Sequence, residues 1–335
     1  MKTGPLLAAA LLAAAAAGGG GEPAPPAEPP PWIRIFFSPE DDVAALLTGL
    51  IDSSRCRVWA AFYSLDLPGV AEALLWARER GVDVRVVMDD AAGGGVRSRS
   101  HQLRRAGILV TDASPGDFMH NKFMVVDGFI TLTGSCNPTE TGVTRDNNNV
   151  VVVACSRLAF HYQKEFLEMW EGAFGNNSPA SPGGHKFRVE GVDIEVWFAP
   201  EEDCAGRLIE LIESARESVV FSCFAFTLTE VAEALIRKHE EGVDVRGILE
   251  RGQGGPYCVY RLLADCGVDV RWDQNLYYLH HKFFVIDGTT VATGSFNPSR
   301  HARDDNDENL VIIGHPAVAA RFLREFEKLA RPVWE

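Results

Sequence analysis

Six residue types recur in this chain at one spacing, and together they could handle a phosphate. His120, Lys122, Asp127, Gly134, Ser135 and Asn137 make the first set; His280, Lys282, Asp287, Gly294, Ser295 and Asn297 make the second. A neutral imidazole is a nucleophile or, once protonated, an acid, and a lysine, a hydroxyl and an amide supply donors for phosphate oxygens. A single His-x-Lys pair describes any basic strand edge. Two complete copies do not. The apolar runs Phe123–Val126 and Phe283–Ile286 suit short buried strands, and a strand puts residues i and i+2 on one face. Each histidine therefore points the same way as its lysine. Asp127-Gly128 and Asp287-Gly288 then turn the chain, and a second strand returns Gly-Ser-x-Asn to the histidine.

In-line displacement at phosphorus needs a nucleophile on one side and an acid on the other, more than one histidine comfortably supplies. A neutral imidazole, with an ordinary pKa near 6.5, would attack to give a phosphohistidine; the other would protonate the leaving oxygen and then take a proton from water. Lys122, Lys282, Asn137, Asn297 and the hydroxyls of Ser135 and Ser295 would offset charge on the non-bridging oxygens. Asp127 and Asp287, each directly before a turn glycine, fit a backbone-fixing role better than an acid role. This chemistry calls for no metal and no cofactor.

The pattern H-x-K-x4-D-x6-G-S-x-N, complete in both copies, resembles the signature of the phospholipase D superfamily. The resemblance runs from Ile33 to about Trp334, and each half is most similar to the small bacterial endonuclease and phospholipase-like members. It implies an α/β fold of two tandem phospholipase D-like repeats, each a mixed β-sheet flanked by helices. The repeats would pack as a pseudo-twofold pair with one shared active site rather than two independent ones, in a monomer, with metal-free catalysis. In that family the position just before the closing strand sits beside the histidine pair and can bond the opposite half's imidazole. Here it is Asn148 in the first copy and Glu308 in the second. The resemblance thus implies that Glu308 orients His120 while Asn148 meets His280. A carboxylate stabilises the charge an imidazole gains on attack, and an amide does so less. His120 is accordingly the expected nucleophile and His280 the general acid and base. The competing expectation is a surface Glu308 bonded to Arg303 or another cation.

The elements that must position these residues are also written twice. Ile35–Glu40 matches Val196–Glu201, and the helical pattern Val70–Arg80 with its following Gly-Val-Asp-Val-Arg matches Val231–Glu241 with the same sequence after it. Apolar strands begin at Val58 and Val219, further ones follow Asn149 and Asn309, and each half closes on an amphipathic helix carrying Phe166 or Phe326. The expected boundaries are a signal segment at 1–21, a Pro-rich spacer at 22–31, the first repeat at 32–174, a Gly/Pro-rich linker at 175–191 and the second repeat at 192–335. Lys2, the run Leu6–Ala17 and the glycines after it read as a secretory leader, too short for a comfortable membrane span, and so as export to the periplasm or beyond.

A net charge of −14 argues against a general polyanion binder and against tight docking on anionic lipid. Seven cysteines are an odd number, so one stays unpaired in a monomer. Cys258 and Cys266 read as members of one helix, about 12 Å apart and too distant for a bridge. The basic stretch Arg97–Arg105 reads as a solvated helix face, and Phe118, Trp272, Tyr277 and Tyr278 as core or as a lip beside the histidines. Three functions stay open: a phospholipase D-type hydrolase releasing phosphatidate and a headgroup alcohol, an endonuclease, and a binding module that has kept the fold. The last is disfavoured by two complete motifs, and an alcohol in place of water would make the first a phosphatidyltransferase like cardiolipin synthase.

Overall fold

The computed structural model describes residues 28–89, 97–113, 118–179 and 183–331; the expected leader and most of the spacer lie outside the described residues. In the first half the strands are β1 (Ile33–Ser38), β2 (Arg57–Phe62), β3 (Asp83–Met88), β4 (Leu109–Asp112), β5 (Phe118–Met119), β6 (Lys122–Val126), β7 (Ile130–Gly134) and β8 (Asn148–Ala154). All but β5 form a seven-stranded sheet ordered β1-β8-β7-β6-β2-β3-β4. The second half repeats this with β9 (His185–Val189), β10 (Val192–Ala199), β11 (Ser218–Cys223), β12 (Asp244–Leu249), β13 (Asp269–Trp272), β14 (Lys282–Ile286), β15 (Thr290–Gly294) and β16 (Asn306–Gly314), ordered β13-β12-β11-β14-β15-β16-β10-β9. Both sheets are mixed. The strands β2, β3 and β4 run parallel, because the helix Pro68–Glu79 carries the chain back across the sheet between β2 and β3. The motif strands β6, β7 and β8 are antiparallel neighbours, β6 and β7 joined by a hairpin.

The turns explain two invariant features of the paired motif. Asp127 and Gly128 have φ of 53° and 67°, and Asp287 and Gly288 have 50° and 60°, the left-handed pair a two-residue hairpin demands. The carboxylate of Asp127 accepts the backbone N–H groups of Arg55, Cys56 and Arg57, and Asp287 accepts those of Arg216, Glu217 and Ser218. Each Asp thus ties its hairpin to the start of the neighbouring strand. A side chain on Gly134 would put its Cβ 2.2 Å from the Asn149 carbonyl oxygen, and on Gly294 the same distance from that of Asn309. Only glycine lets β7 and β15 approach the closing strands this closely.

Three apolar clusters build the core. One fills the outer face of each half. The third lies between the halves and draws Phe37, Phe123, Tyr162 and Phe166 from the first and Phe198, Phe283, Phe322 and Phe326 from the second. The closing helices Ser156–Trp170 and Pro316–Ala330 are therefore shared, each turning its apolar stripe into the common core. Two short parallel pairings cross the interface in pseudo-twofold fashion: β5 with the start of β16, and Leu279 with Asn147. Both involve the residues immediately ahead of a motif histidine.

Two expectations are corrected. The stretch 175–191 is not a plain linker, because Glu190 and Gly191, with φ of 48° and 86°, make a two-residue turn that pairs β9 with β10. Cys258 and Cys266 do not share a helix; they flank Tyr260–Asp265, since the Gly-rich loop ahead of Cys258 delays the helix start. The seven cysteines are all free, with Cys136, Cys155, Cys204 and Cys223 buried. The Arg97–Arg105 stretch includes the helix Ser100–Arg105, with Arg99 bonded to the Asp66 carbonyl and Arg104 to Asp112. Among the described residues no helix is long and apolar enough to cross a membrane.

Candidate active site

Each motif histidine sits between an extended segment and the first residue of a buried strand, and its backbone N–H is held by the other half. His120 N donates to the Asp307 carbonyl at 3.0 Å and His280 N to that of Asn147 at 2.9 Å. This crossing brings both imidazoles to one place. His120 Nδ1 lies 2.7 Å from Glu308 Oε1, and His280 Nδ1 lies 2.8 Å from Asn148 Oδ1. An ionised carboxylate only accepts, so His120 carries its hydrogen on Nδ1 and keeps a lone pair on Nε2. The amide of Asn148 is oriented by its own Nδ2, which donates to the Gly142 carbonyl at 3.0 Å, so its oxygen faces His280. The two histidines are thus held in the same tautomer by partners of unlike charge.

The lysines lie under the rings. Lys122 Nζ donates to the His120 carbonyl at 2.6 Å, and Lys282 Nζ to the His280 carbonyl at 3.0 Å and to His280 Nε2 at 3.1 Å. Both are buried. Burial, with Lys122 beside it, holds the Lys282 amine far below its ordinary range. Burial likewise brings Lys122 down to about 7, although Glu308 and Asp89 pull it back up. Burial and the two lysines keep both imidazoles well below 6.5, and burial pushes Glu308 up to about 7 against those same cations. An anion beside the two lysines would favour their charged forms.

The remaining motif residues divide. Asn297 Oδ1 accepts the Ala225 N–H at 3.3 Å, which leaves its amide hydrogens as donors, and Asn137 is its counterpart on the other side. The expectation that the serine hydroxyls donate to phosphate is corrected. Ser135 Oγ accepts the Asn149 N–H and spends its single hydrogen on Asn148 Oδ1. Ser295 Oγ accepts the Asn309 N–H and, at 3.3 Å, Asn309 Nδ2, and lies close to the Glu308 carboxylate. Both serines are fully buried and orient the residues that orient the histidines. Glu308 is also fully buried, and Arg303 is engaged instead with Glu230 and Asp304. Asp127 and Asp287 stand at the far ends of their strands. Burial pulls their carboxyls up, but the backbone N–H groups they accept hold them below the usual range.

Beneath the site a polar layer joins the halves. Thr133 Oγ1 donates to Asn309 Oδ1 at 2.7 Å, Asn149 Nδ2 to Thr293 Oγ1 at 2.8 Å and Asn309 Nδ2 to Asn121 Oδ1 at 2.7 Å. His281 faces this layer, not the site, and lies between Asn149 and Glu325.

Four further residues belong to the site and were not singled out from the sequence. Asp89 Oδ2 accepts the Met119 N–H at 3.2 Å and Glu250 Oε2 the Leu279 N–H at 2.7 Å, so a buried carboxylate pins the segment ahead of each histidine. Tyr63 packs against His120 with Phe118, and Phe224 against His280 with Tyr278. Comparing the repeats would have found them, since Asp89 and Glu250 close equivalent strands and Tyr63 and Phe224 follow equivalent ones.

Two unlike-partnered histidines and two buried lysines thus meet where the pseudo-twofold halves join. The family model described as "Cardiolipin synthase, PLD-like domain" matches twice, over residues 47–170 and 208–330. The chain belongs to the phospholipase D superfamily, whose named relatives here are phosphodiesterase-type enzymes. The mitochondrial cardiolipin hydrolase of Xenopus tropicalis is 37% identical over 138 residues, 39% of this chain and 63% of that protein. The Xenopus laevis protein of the same name is 36% identical over 44% of this chain and 74% of its own length. A phospholipase D of Rickettsia bellii is 31% identical over 39% of this chain and 65% of that protein. This chain thus spans less than two thirds of the first and last of these relatives. Among solved structures, phosphatidylserine synthase of Haemophilus influenzae aligns with a TM-score of 0.73 at 12% identity, over 90% of this chain and 86% of that one. This likeness is one of fold.

Proposed function

We propose that the chain hydrolyses phospholipids in the manner of phospholipase D, releasing phosphatidate and a headgroup alcohol through a phosphohistidine on His120. The observation that carries the reaction is the unlike pair of supports, Glu308 on His120 and Asn148 on His280. The anionic substrate offsets the lysines and lets His280 take up a proton on Nε2; His120 Nε2 then attacks phosphorus and the P–O bond to the headgroup breaks, with that His280 proton going to the leaving oxygen. Glu308 offsets the positive charge left on the phosphorylated ring. Water, losing a proton to His280, then displaces His120 and restores the enzyme. Lys122, Lys282, Asn137 and Asn297 hold the non-bridging oxygens, and no metal takes part. An alcohol in place of water would give phosphatidyl transfer by the same route.

The lipid substrate is supported by the names of the relatives, and the charge of −14 weighs against nucleic acid. Export, with the chain acting as a monomer in the periplasm or outside the cell, belongs to the same proposal and rests on Lys2 and the apolar run after it. The test is a side-by-side assay of EDTA-treated protein on phosphatidylcholine vesicles and on plasmid DNA. Choline release with intact plasmid is the expected result; nicked plasmid without choline release reassigns the chain to the nucleases, and loss of all activity with EDTA overturns the mechanism.

A further inference from the structure

The residues that lead into the two motif histidines differ in sequence. On the second half, Leu276, Tyr277 and Tyr278 run directly into His280 and are 96%, 46% and 53% exposed. The equivalent stretch of the first half reads Ser-Pro-Gly-Asp before Phe118, so the apolar tip is no requirement of the repeat. Nor is it a loose loop. Asn275 N donates to Asp273 Oδ2, Tyr277 N to Asn275 Oδ1 and Tyr278 N to Asp146 Oδ1. Asn275 Nδ2 reaches Asn147 Oδ1 of the other half at 2.6 Å. Fixed by these bonds, the segment presents Leu276 and the rings of Tyr277 and Tyr278 to water as consecutive residues, and a contiguous exposed apolar patch is the kind of surface that marks a partner site. Beside it, Gly252 abuts the Tyr278 ring, and the loop beyond carries Tyr257, 82% exposed. Tyr257 and Trp272 also border a groove of about 710 Å³.

We infer that this lip docks on a zwitterionic phospholipid surface, with Leu276 entering the acyl boundary and the tyrosines lying at headgroup depth. Tyrosine, an apolar ring with a polar tip, suits that boundary. The lip's supports are the carboxylates Asp146, Glu250 and Asp273, with Arg145 on the Tyr277 ring. A strand of nucleic acid needs an extended cationic track beside its stacking rings, and the chain's net charge of −14 opposes both that partner and an anionic membrane, while Arg145, exposed on the Tyr277 ring, suits the phosphate of a zwitterionic headgroup. Docking here brings lipid phosphates to His280, a consequence that rests on the lipid reading of the site.

The experiment is co-sedimentation of the full chain with phosphatidylcholine vesicles, for wild type and Leu276→Asp, alongside turnover of soluble bis(p-nitrophenyl) phosphate and of phosphatidylcholine in detergent micelles. Wild type is expected to sediment, and the substitution to weaken vesicle partitioning by about tenfold while leaving soluble turnover unchanged. Equal sedimentation of the two proteins, or none by wild type, overturns the inference. Loss of single-stranded oligonucleotide binding in Leu276→Asp, with vesicle binding intact, also overturns it and assigns the lip to bases. Leu276-dependent sedimentation without micellar hydrolysis leaves the docking surface standing and removes the lipid substrate; micellar hydrolysis with vesicle binding indifferent to Leu276 does the reverse.

Discussion

Replacing Glu308 with Gln removes one charge and little else. The amide oxygen can still accept from His120 Nδ1, and Ser295 and Asn306 still flank the side chain. His120 would then be supported as His280 already is, by a neutral amide. What is lost is the attraction between a carboxylate and the ring charge that forms on attack. A charged hydrogen bond exceeds a neutral one by roughly 1–2 kcal/mol, and a full Coulomb interaction at about 4 Å with an effective dielectric near 20 is about 4 kcal/mol. The expected fall in kcat/KM is therefore roughly ten- to thousandfold. The pH profile gives a second, sharper sign. Burial raises Glu308 to about 7, so in the wild type activity should climb as pH rises through that value and the carboxylate ionises. Lys122, brought down to about 7 by burial, titrates over the same range and bends the profile down on the alkaline side. Glu308→Gln should lose the acid limb and keep the alkaline one. Steady-state rates on bis(p-nitrophenyl) phosphate across pH measure both, and an unchanged rate with the acid limb intact would refute the role given to Glu308.

The depressed lysines predict anion binding linked to protons. Sulfate, whose charge is constant in this range, should bind more tightly and raise Tm more as pH falls through about 7 and Lys122 gains its proton; calorimetry in two buffers should register proton uptake, and pH-independent binding would contradict it. Asp127→Asn should cost about 1–3 kcal/mol of stability by weakening three backbone hydrogen bonds. Because that carboxyl is held low in the fold, the stability it contributes is present above the ordinary Asp range and lost as acid protonates it; denaturant melts check both, and a kcat effect without destabilisation would give Asp127 another role. Asp89→Asn and Glu250→Gln should lower kcat more than they raise KM, since each pins the segment ahead of a histidine and touches no substrate; a pure KM effect would move them into the binding site.

Much of this was legible in the sequence because chemistry and fold are encoded by the same short stretch, twice. The spacing of His120 and Lys122 and the Asp-Gly turn each have a local reason that survives without tertiary information; Gly134 does not, since what demands it is the Asn149 carbonyl of the closing strand. The pairing of Glu308 with His120 is not local, and it was reached only through resemblance to a family; no periodicity links residues on separate halves. The serines were misjudged for a related cause. A hydroxyl near a histidine looks like a phosphate donor until the neighbour that takes its single hydrogen, Asn148, is placed beside it. Strand β9 was hidden by the Gly/Pro-rich residues ahead of it, although Glu190-Gly191 between two alternating runs carried the hairpin signal.

The central claim, one site in which His120 attacks and His280 serves it, is tested most directly by trapping the intermediate. Turnover of a 32P-labelled phosphodiester, quenched and mapped by peptide under conditions that preserve phosphohistidine, should place the label on His120, and His280→Ala should still form it with an activated leaving group. Label on His280, or equal label on both histidines, would contradict the account.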